Sequence, residues 1–219
     1  MTEGSLPDGH AASSAPRPLR RDAAENRRRL LDAARTVFAE RGMDAGVEDV
    51  ARTAGVGVGT LYRRFPTKDA LVAELVHEFM ENAVSLARDA GSVSGGGGLE
   101  QLVFALGEVQ AENRGCLARI WTDEASSALR DEYRRLSAAL LADARLHGTI
   151  RSDAVATDLD LVFWSLRGII ETTGDSAPVA WRRQAAILLA GLRPSSHPLG
   201  VAPISEAVVA RTRESSLST

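Results

Sequence analysis

Cysteine is almost absent from this chain: Cys116 stands alone among 219 residues. A single thiol excludes an internal disulfide and any thiolate metal cluster, and it fits a reducing cytoplasm. Lysine is just as scarce. Of the 26 basic residues only Lys68 is lysine, and such arginine preference beside abundant Ala and Gly points to a GC-rich bacterial genome. No window approaches the ~18 to 20 continuous apolar residues that a membrane span needs. The N-terminus lacks the apolar core of a secretion signal. No segment shows convincing strand alternation. Aromatic residues make up only 5%, so the few that occur are worth placing individually. These absences leave an all-α, cytoplasmic, non-membrane protein as the expectation.

A hydrophobic fraction of 44% with 25% charge is ordinary for a globular domain. The charge is unevenly spread. Residues 17 to 68 hold twelve Lys/Arg and seven Asp/Glu, a net of +5 against −3 for the whole chain, so the remainder carries −8. A basic end on an acidic protein suggests where a polyanion docks. Alone, Arg20, Arg21 and Arg27 to Arg29 would equally fit a solvated helix face; a neighbouring DNA-binding motif favours proximity to DNA.

That motif lies between Val47 and Asp69, VEDVARTAGVGVGTLYRRFPTKD. Val47, Val50, Ala51 and Ala54 recur at helical spacing. Ala54-Gly55-Val56 then breaks the pattern where the chain must reverse sharply, a bend that glycine makes without strain. A second short helix follows from Gly57, with Leu61 and Phe65 inward and Val58, Thr60, Tyr62, Arg63 and Arg64 largely outward. This is the layout of a helix-turn-helix, whose second helix lies in the DNA major groove.

Upstream, Leu30, Leu31, Ala34, Val37 and Phe38 form an apolar stripe that Gly42 stops. The first helix is expected from Asp22, with Glu25 completing an acidic capping box. Thr67 is the expected N-cap of a long fourth helix, with Asp69 favourable in its first turn. The apolar face of that helix, from Leu71 to Ala83, is wide enough to touch two domains. Gly91 to Gly98 (GSVSGGGG) reads as a flexible linker. Further helices are expected near 99–113, 118–147 with a break near Asp123, 155–173 and 178–192. The domain boundaries follow: a disordered arm over 1–18, a helix-turn-helix domain over 19–68, a helical body over 69–193, and a mostly disordered tail over 194–219 with a short helix near 204–211.

The segment Ala54 to Leu71, together with Leu30, Ala33, Ala34, Phe38, Gly42 and Val50-Ala51, closely resembles the DNA-binding signature of TetR-like (tetracycline-repressor-like) transcriptional regulators. The resemblance covers roughly residues 22–72, a long pattern at fixed spacing; the remainder resembles the family only in being helical and of suitable length. It implies an all-helical homodimer, a small N-terminal DNA-binding domain, and a larger C-terminal domain for a small organic effector. It also implies that Val58, Gly59, Thr60 and Arg63 face the groove, while Tyr62 and Lys68 contact phosphates. A phenol hydroxyl and an ammonium beside a helix N-terminus suit that task physically. Two positions depart from the pattern. Gly46 and Gly57 stand where hydroxyl residues commonly cap the second and third helices, and glycine offers no side-chain oxygen. Arginines are expected to take over that burden.

Catalytic motifs are missing. Gly55-Val56-Gly57-Val58-Gly59 lacks both the GK[ST] ending and the preceding strand of a nucleotide-binding loop. His77-Glu78 has glutamate, not histidine, at position 81. His147 ends a helix, where capping is the simpler role. No nucleophile elbow occurs, and Cys116 has no histidine nearby. The expectation is no enzyme, no cofactor and no metal.

In the body, Phe104, Glu108, Trp121, Trp164, Arg167, Glu171 and Trp181 combine large surfaces with isolated charges, as an effector pocket would. The residues expected to contact an effector are Phe104, Glu108, Trp121, Trp164 and Arg167. Aromatics at helical spacing also simply build cores. The last two long helices, where the family resemblance places a four-helix dimer interface, carry more apolar residues than one side can bury within one subunit. Phe163, Leu166, Ile170, Leu188 and Leu189 are the expected interface. The combined reading is a homodimeric repressor released from a palindromic double-stranded operator by a small molecule. The alternative is an activator, or an effector-independent DNA-binding protein, of the same fold.

Overall fold

The computed structural model describes residues 17–116 and 124–215. Its regular structure is entirely helical among those residues: α1 (Arg17–Arg41), α2 (Val47–Thr53), α3 (Val58–Arg64), α4 (Lys68–Ala90), α5 (Gly98–Glu112), α6 (Ser127–Leu146), α7 (Ala156–Thr173), α8 (Ala180–Leu192) and α9 (Glu206–Ser215). A 3-10 turn at Glu124–Ser126 leads into α6.

Helix α1 starts at Arg17, earlier than the Asp22 capping box would place it. Pro18 sits in the first turn, where its missing N–H costs nothing, so it is compatible with a helix that starts at Arg17. The stripe Leu30, Leu31, Ala34, Val37 and Phe38 is buried. Gly42 ends the helix at φ +72°, its N–H donating to the Phe38 carbonyl at 3.0 Å, the left-handed cap that glycine adopts without strain. Thr67 caps α4, its Oγ1 accepting from the Ala70 N–H at 3.0 Å, and His147 is the C-cap of α6.

Helix α4 belongs to two cores at once. Its residues Leu71 to Ala90 join the buried cluster of α1–α3 to that of α5–α8. Polar contacts reinforce the joint. Arg27 of α1 binds Glu74 and reaches Glu78 at 2.8 Å, while Arg35 reaches Glu78 at 2.7 Å and the Asn113 Oδ1 at 3.1 Å. A crevice of about 350 Å³ sits at this joint, lined by Asp32, Arg35, Glu78, Asn82, Glu112 and Asn113 among others.

Two segments expected to be flexible make defined packing contacts. The glycine run 91–98 is a packed turn. Gly96 (φ +76°) lies so close to α6 that an added Cβ would meet the Thr149 Oγ1 at 2.8 Å, and Thr149 donates to the Gly96 carbonyl at 3.0 Å. Gly98 leaves no room either, since its Cβ would fall 2.3 Å from the Ala90 carbonyl oxygen. The glycines permit close approach, a role that composition cannot distinguish from flexibility. The tail also makes contacts with the body, and the short helix expected near 204–211 is α9. Buried Arg151 donates to the His197 carbonyl at 2.6 Å and to Asp153, and Asp153 accepts from the Leu199 N–H at 3.2 Å. Beyond this anchor α9 buries Val209 completely, and Arg134 pairs with Glu206.

Candidate nucleic-acid interface

Helices α2 and α3 are each only two turns long, too short to persist alone, and packing holds them in place. Val47, Val50 and Ala51 of α2 are buried where α2 packs on α1, and Leu61 of α3 is buried in the same cluster, with Phe65 at 4% exposure closing the corner. Gly55, at φ +66°, makes the reversal between the two helices.

With Leu61 fixed inward, the opposite face of α3 is set by helical geometry. Val58 is 39% exposed, Tyr62 is 42% exposed, and Gly59 and Arg63 are exposed too, with Thr60 half-buried between them. No atom lies within 4 Å of where a Cβ on Gly59 would stand. Arg63 donates to the Thr60 Oγ1 at 3.1 Å, one turn back, which steadies the guanidinium while leaving donors free. The five α3 residues expected to contact DNA, four at the groove and Tyr62 at a phosphate, therefore share one solvent-facing surface.

Lys68 is placed differently from an ammonium extended into solvent. Its Nζ donates to the Met43 carbonyl and lies 5.6 Å from the centre of the Phe38 ring. The first residue of α4 thus ties the α1–α2 loop to the start of α4. An ammonium has three donors, so the carbonyl contact does not exhaust it.

Neither glycine cap receives a side-chain hydrogen bond, as expected for Gly46 and Gly57. The space beside Gly46 is filled by a residue sequence reasoning passed over. Glu48 places its Oε2 2.8 Å from where a Gly46 Cβ would be, and its Oε1 accepts from the Tyr62 hydroxyl at 3.4 Å. The arginines nearby are engaged elsewhere: Arg41 lies 3.1 Å from Asp49, and Arg52 also pairs with Asp49.

The expected effector residues do not converge among the described residues. Trp181 is 1% exposed and wedged against Gly107, with Phe104 packed on it at a ring separation of 6.5 Å. Glu108 is spent on an ion pair with Arg182 at the surface, and Arg167 on one with Glu171 at 2.9 Å. Trp164 is half-buried on α7, and Trp121 lies outside the described residues. Phe104 is thus core packing, and the two charges serve surface pairs.

Four of the five expected dimer residues lie on the inward side of their helices. Phe163, Leu166, Ile170 and Leu189 are buried within the subunit, where a partner cannot reach them. Helices α7 and α8 are apolar on two sides, and periodicity alone cannot tell which side faces inward. The outward side carries Leu161 at 43% and Ile187 at 52% exposure, with Gly168 and Gly191 open to solvent. Half-buried Leu188 joins Leu161 and Ile187 around a crevice of about 760 Å³ closed on one side by residues 198–204 of the tail.

Comparison with known proteins agrees with this architecture. The model of bacterial regulatory proteins of the tetR family matches residues 30–75, which span the apolar stripe of α1, α2, α3 and the first turns of α4. The chain is 33% identical over 155 residues to the HTH-type transcriptional repressor KstR2 of Rhodococcus jostii, covering 64% of this chain and 74% of that protein. Among solved structures, the TetR transcriptional regulator SCO0520 of Streptomyces coelicolor superimposes with a TM-score of 0.56 at 29% identity, over 78% of this chain and 99% of that one. LfrR of Mycobacterium smegmatis, crystallised with proflavine, shares the fold with a TM-score of 0.59 at 19% identity, over 84% and 99% of the two chains.

Proposed function

The chain belongs to the TetR family of bacterial transcriptional regulators, a family of regulators and not of enzymes, and from that premise we propose that it is a homodimeric repressor. It binds a two-fold operator through α3 and leaves it when a small organic effector binds the α4–α8 body. The observation that carries this reading is the division of α3. Its leucine, Leu61, is fully buried, while Val58, Gly59, Tyr62 and Arg63 stand in solvent on the other side. A seven-residue helix whose outer face carries a tyrosine, an arginine and a bare glycine buries little of them within the subunit; they suit a duplex groove.

Dimerisation is supported by the outward face of α7 and α8. Exposed Leu161 and Ile187 beside open Gly168 and Gly191 let two helix pairs approach closely. A two-fold site also requires two reading helices about 34 to 36 Å apart, or a multiple of one turn. An effector is supported by Gln110 of α5, 7% exposed, whose amide oxygen has no hydrogen-bond partner among the described residues. A buried carbonyl oxygen left unpaired costs roughly 1–3 kcal/mol, a cost that a ligand hydroxyl or N–H would remove. Release requires the ligand to favour the DNA-free shape, because equal affinity for both shapes shifts nothing.

The test is a gel shift with the DNA flanking the chromosomal gene, repeated over a compound library. A retarded band that a compound abolishes is the expected result. A shift that no bound compound alters would favour the effector-independent alternative, and transcription that rises with added protein would favour an activator.

A further inference from the structure

We propose that Glu48 is a brake on DNA binding: a carboxylate on the DNA-facing rim that holds the Tyr62 hydroxyl in the free protein and lowers affinity for every sequence alike. The inference rests on the reading of α2–α3 as the DNA-binding unit. Glu48 is exposed at the start of α2, and its Oε1 accepts from the Tyr62 hydroxyl at 3.4 Å. Its neighbour Asp49 is neutralised by Arg41 and Arg52, whereas Glu48 has no cation paired with it among the described residues. An unpaired negative charge thus stands within hydrogen-bond reach of a side chain whose expected partner is a phosphate.

Gly46 makes this arrangement possible. A Cβ at position 46 would lie 2.8 Å from the Glu48 Oε2, so any larger residue would push the carboxylate out of its present place. The absence of a side chain there has a positive consequence: it admits an acid beside Tyr62. When DNA docks, the Tyr62 O–H must leave a carboxylate oxygen for a phosphate oxygen, and the stranded carboxylate then faces the polyanion at close range. Both effects oppose binding, and neither depends on base sequence. A regulator that must let go of DNA gains from such a limit, since a modest effector preference then suffices for release.

The experiment measures affinity against salt for wild type, Glu48→Gln, Tyr62→Phe and the double variant on a mixed-sequence 40-base-pair duplex. Glu48→Gln keeps the shape and removes the charge. It is expected to tighten binding by about three- to tenfold at 0.1 M salt and to steepen the salt slope by up to about one. In the Tyr62→Phe background the gain should fall by roughly half, since the hydroxyl no longer has to be released. A merely structural Glu48 would leave the salt slope unchanged. Equal or weaker binding by Glu48→Gln, with wild type binding DNA normally, overturns the brake alone. A wild type that binds no duplex overturns the DNA-binding reading and the brake with it. Glu48→Ala guards against an effect peculiar to glutamine and should tighten binding in the same direction.

Discussion

Gly107→Ala asks whether the space around Phe104 and Trp181 is packed or hollow. A Cβ on Gly107 would lie 2.2 Å from the Trp181 Cζ3 and 2.5 Å from its Cε3, more than an ångström inside ordinary contact. The indole has little freedom to retreat. It is 1% exposed, Phe104 packs on it, and the Arg182 guanidinium lies 5.0 Å from its ring centre. Forcing a methyl into a full core costs about 1–3 kcal/mol, and so deep an overlap belongs at the upper end. Against this stands the gain of about 0.5–1 kcal/mol from replacing glycine by alanine within a helix. The balance is a loss of roughly 2 kcal/mol, or about 4–8 °C in melting temperature for a chain of this size. Calorimetry of the two proteins reads it directly. If Trp181 bordered an effector cavity it would swing into the void, and the variant would melt at or above the wild-type temperature; that result would refute the packing argument.

Other predictions follow from the same structure. Arg63→Ala should cost roughly 1–3 kcal/mol on a selected operator and relax preference at one base pair per half-site, while binding to random DNA changes much less; competition titrations distinguish the two. Ile187→Glu places a charge on the outward face of α8 and should yield folded monomers by sedimentation, whereas Leu166→Glu, at a fully buried site, should unfold the subunit. Asp153 is held down at about 2 from the usual 3.8, chiefly by its hydrogen bond with Arg151. Because its folded value is depressed, the tail anchor is fully present above about 3.8 and is lost as pH falls toward 2. Hydrogen exchange at the Leu199 amide, which donates to Asp153, should show protection fading over that interval and not at neutral pH.

Much of this molecule was legible in its residues because several signals agreed. In α1–α4 the apolar stripe, the Gly42 stop, the Gly55 turn and the Thr67 cap each restrict the same stretch, so the helix-turn-helix and its exposed face could be read together. The body gave weaker guidance. Helices 155–173 and 178–192 lie within a few residues of α7 and α8, yet four of the five residues expected at a dimer interface, Phe163, Leu166, Ile170 and Leu189, are buried within the subunit, since both sides of these helices are apolar and helical period carries no direction. Phe104 and Trp181 resemble a pocket in composition, and only the contact at Gly107 reveals a filled core. Glycines 91–98 misled for a related reason: a residue without a side chain serves loose chain and tight packing alike. Glu48 was missed because its significance arises from a neighbour fourteen residues away and from the empty space at Gly46.

The central claim, that two copies of α3 read a two-fold site, is tested most directly by enriching binding sequences from a randomised duplex pool with the wild-type protein and with Arg63→Ala. The account predicts that wild type enriches an inverted repeat whose half-sites lie one helical turn, or a multiple of it, apart. It also predicts that Arg63→Ala loses the preference at a symmetric pair of positions within the repeat. Enrichment of a site without two-fold symmetry, or of the same sequence by both proteins, would contradict it.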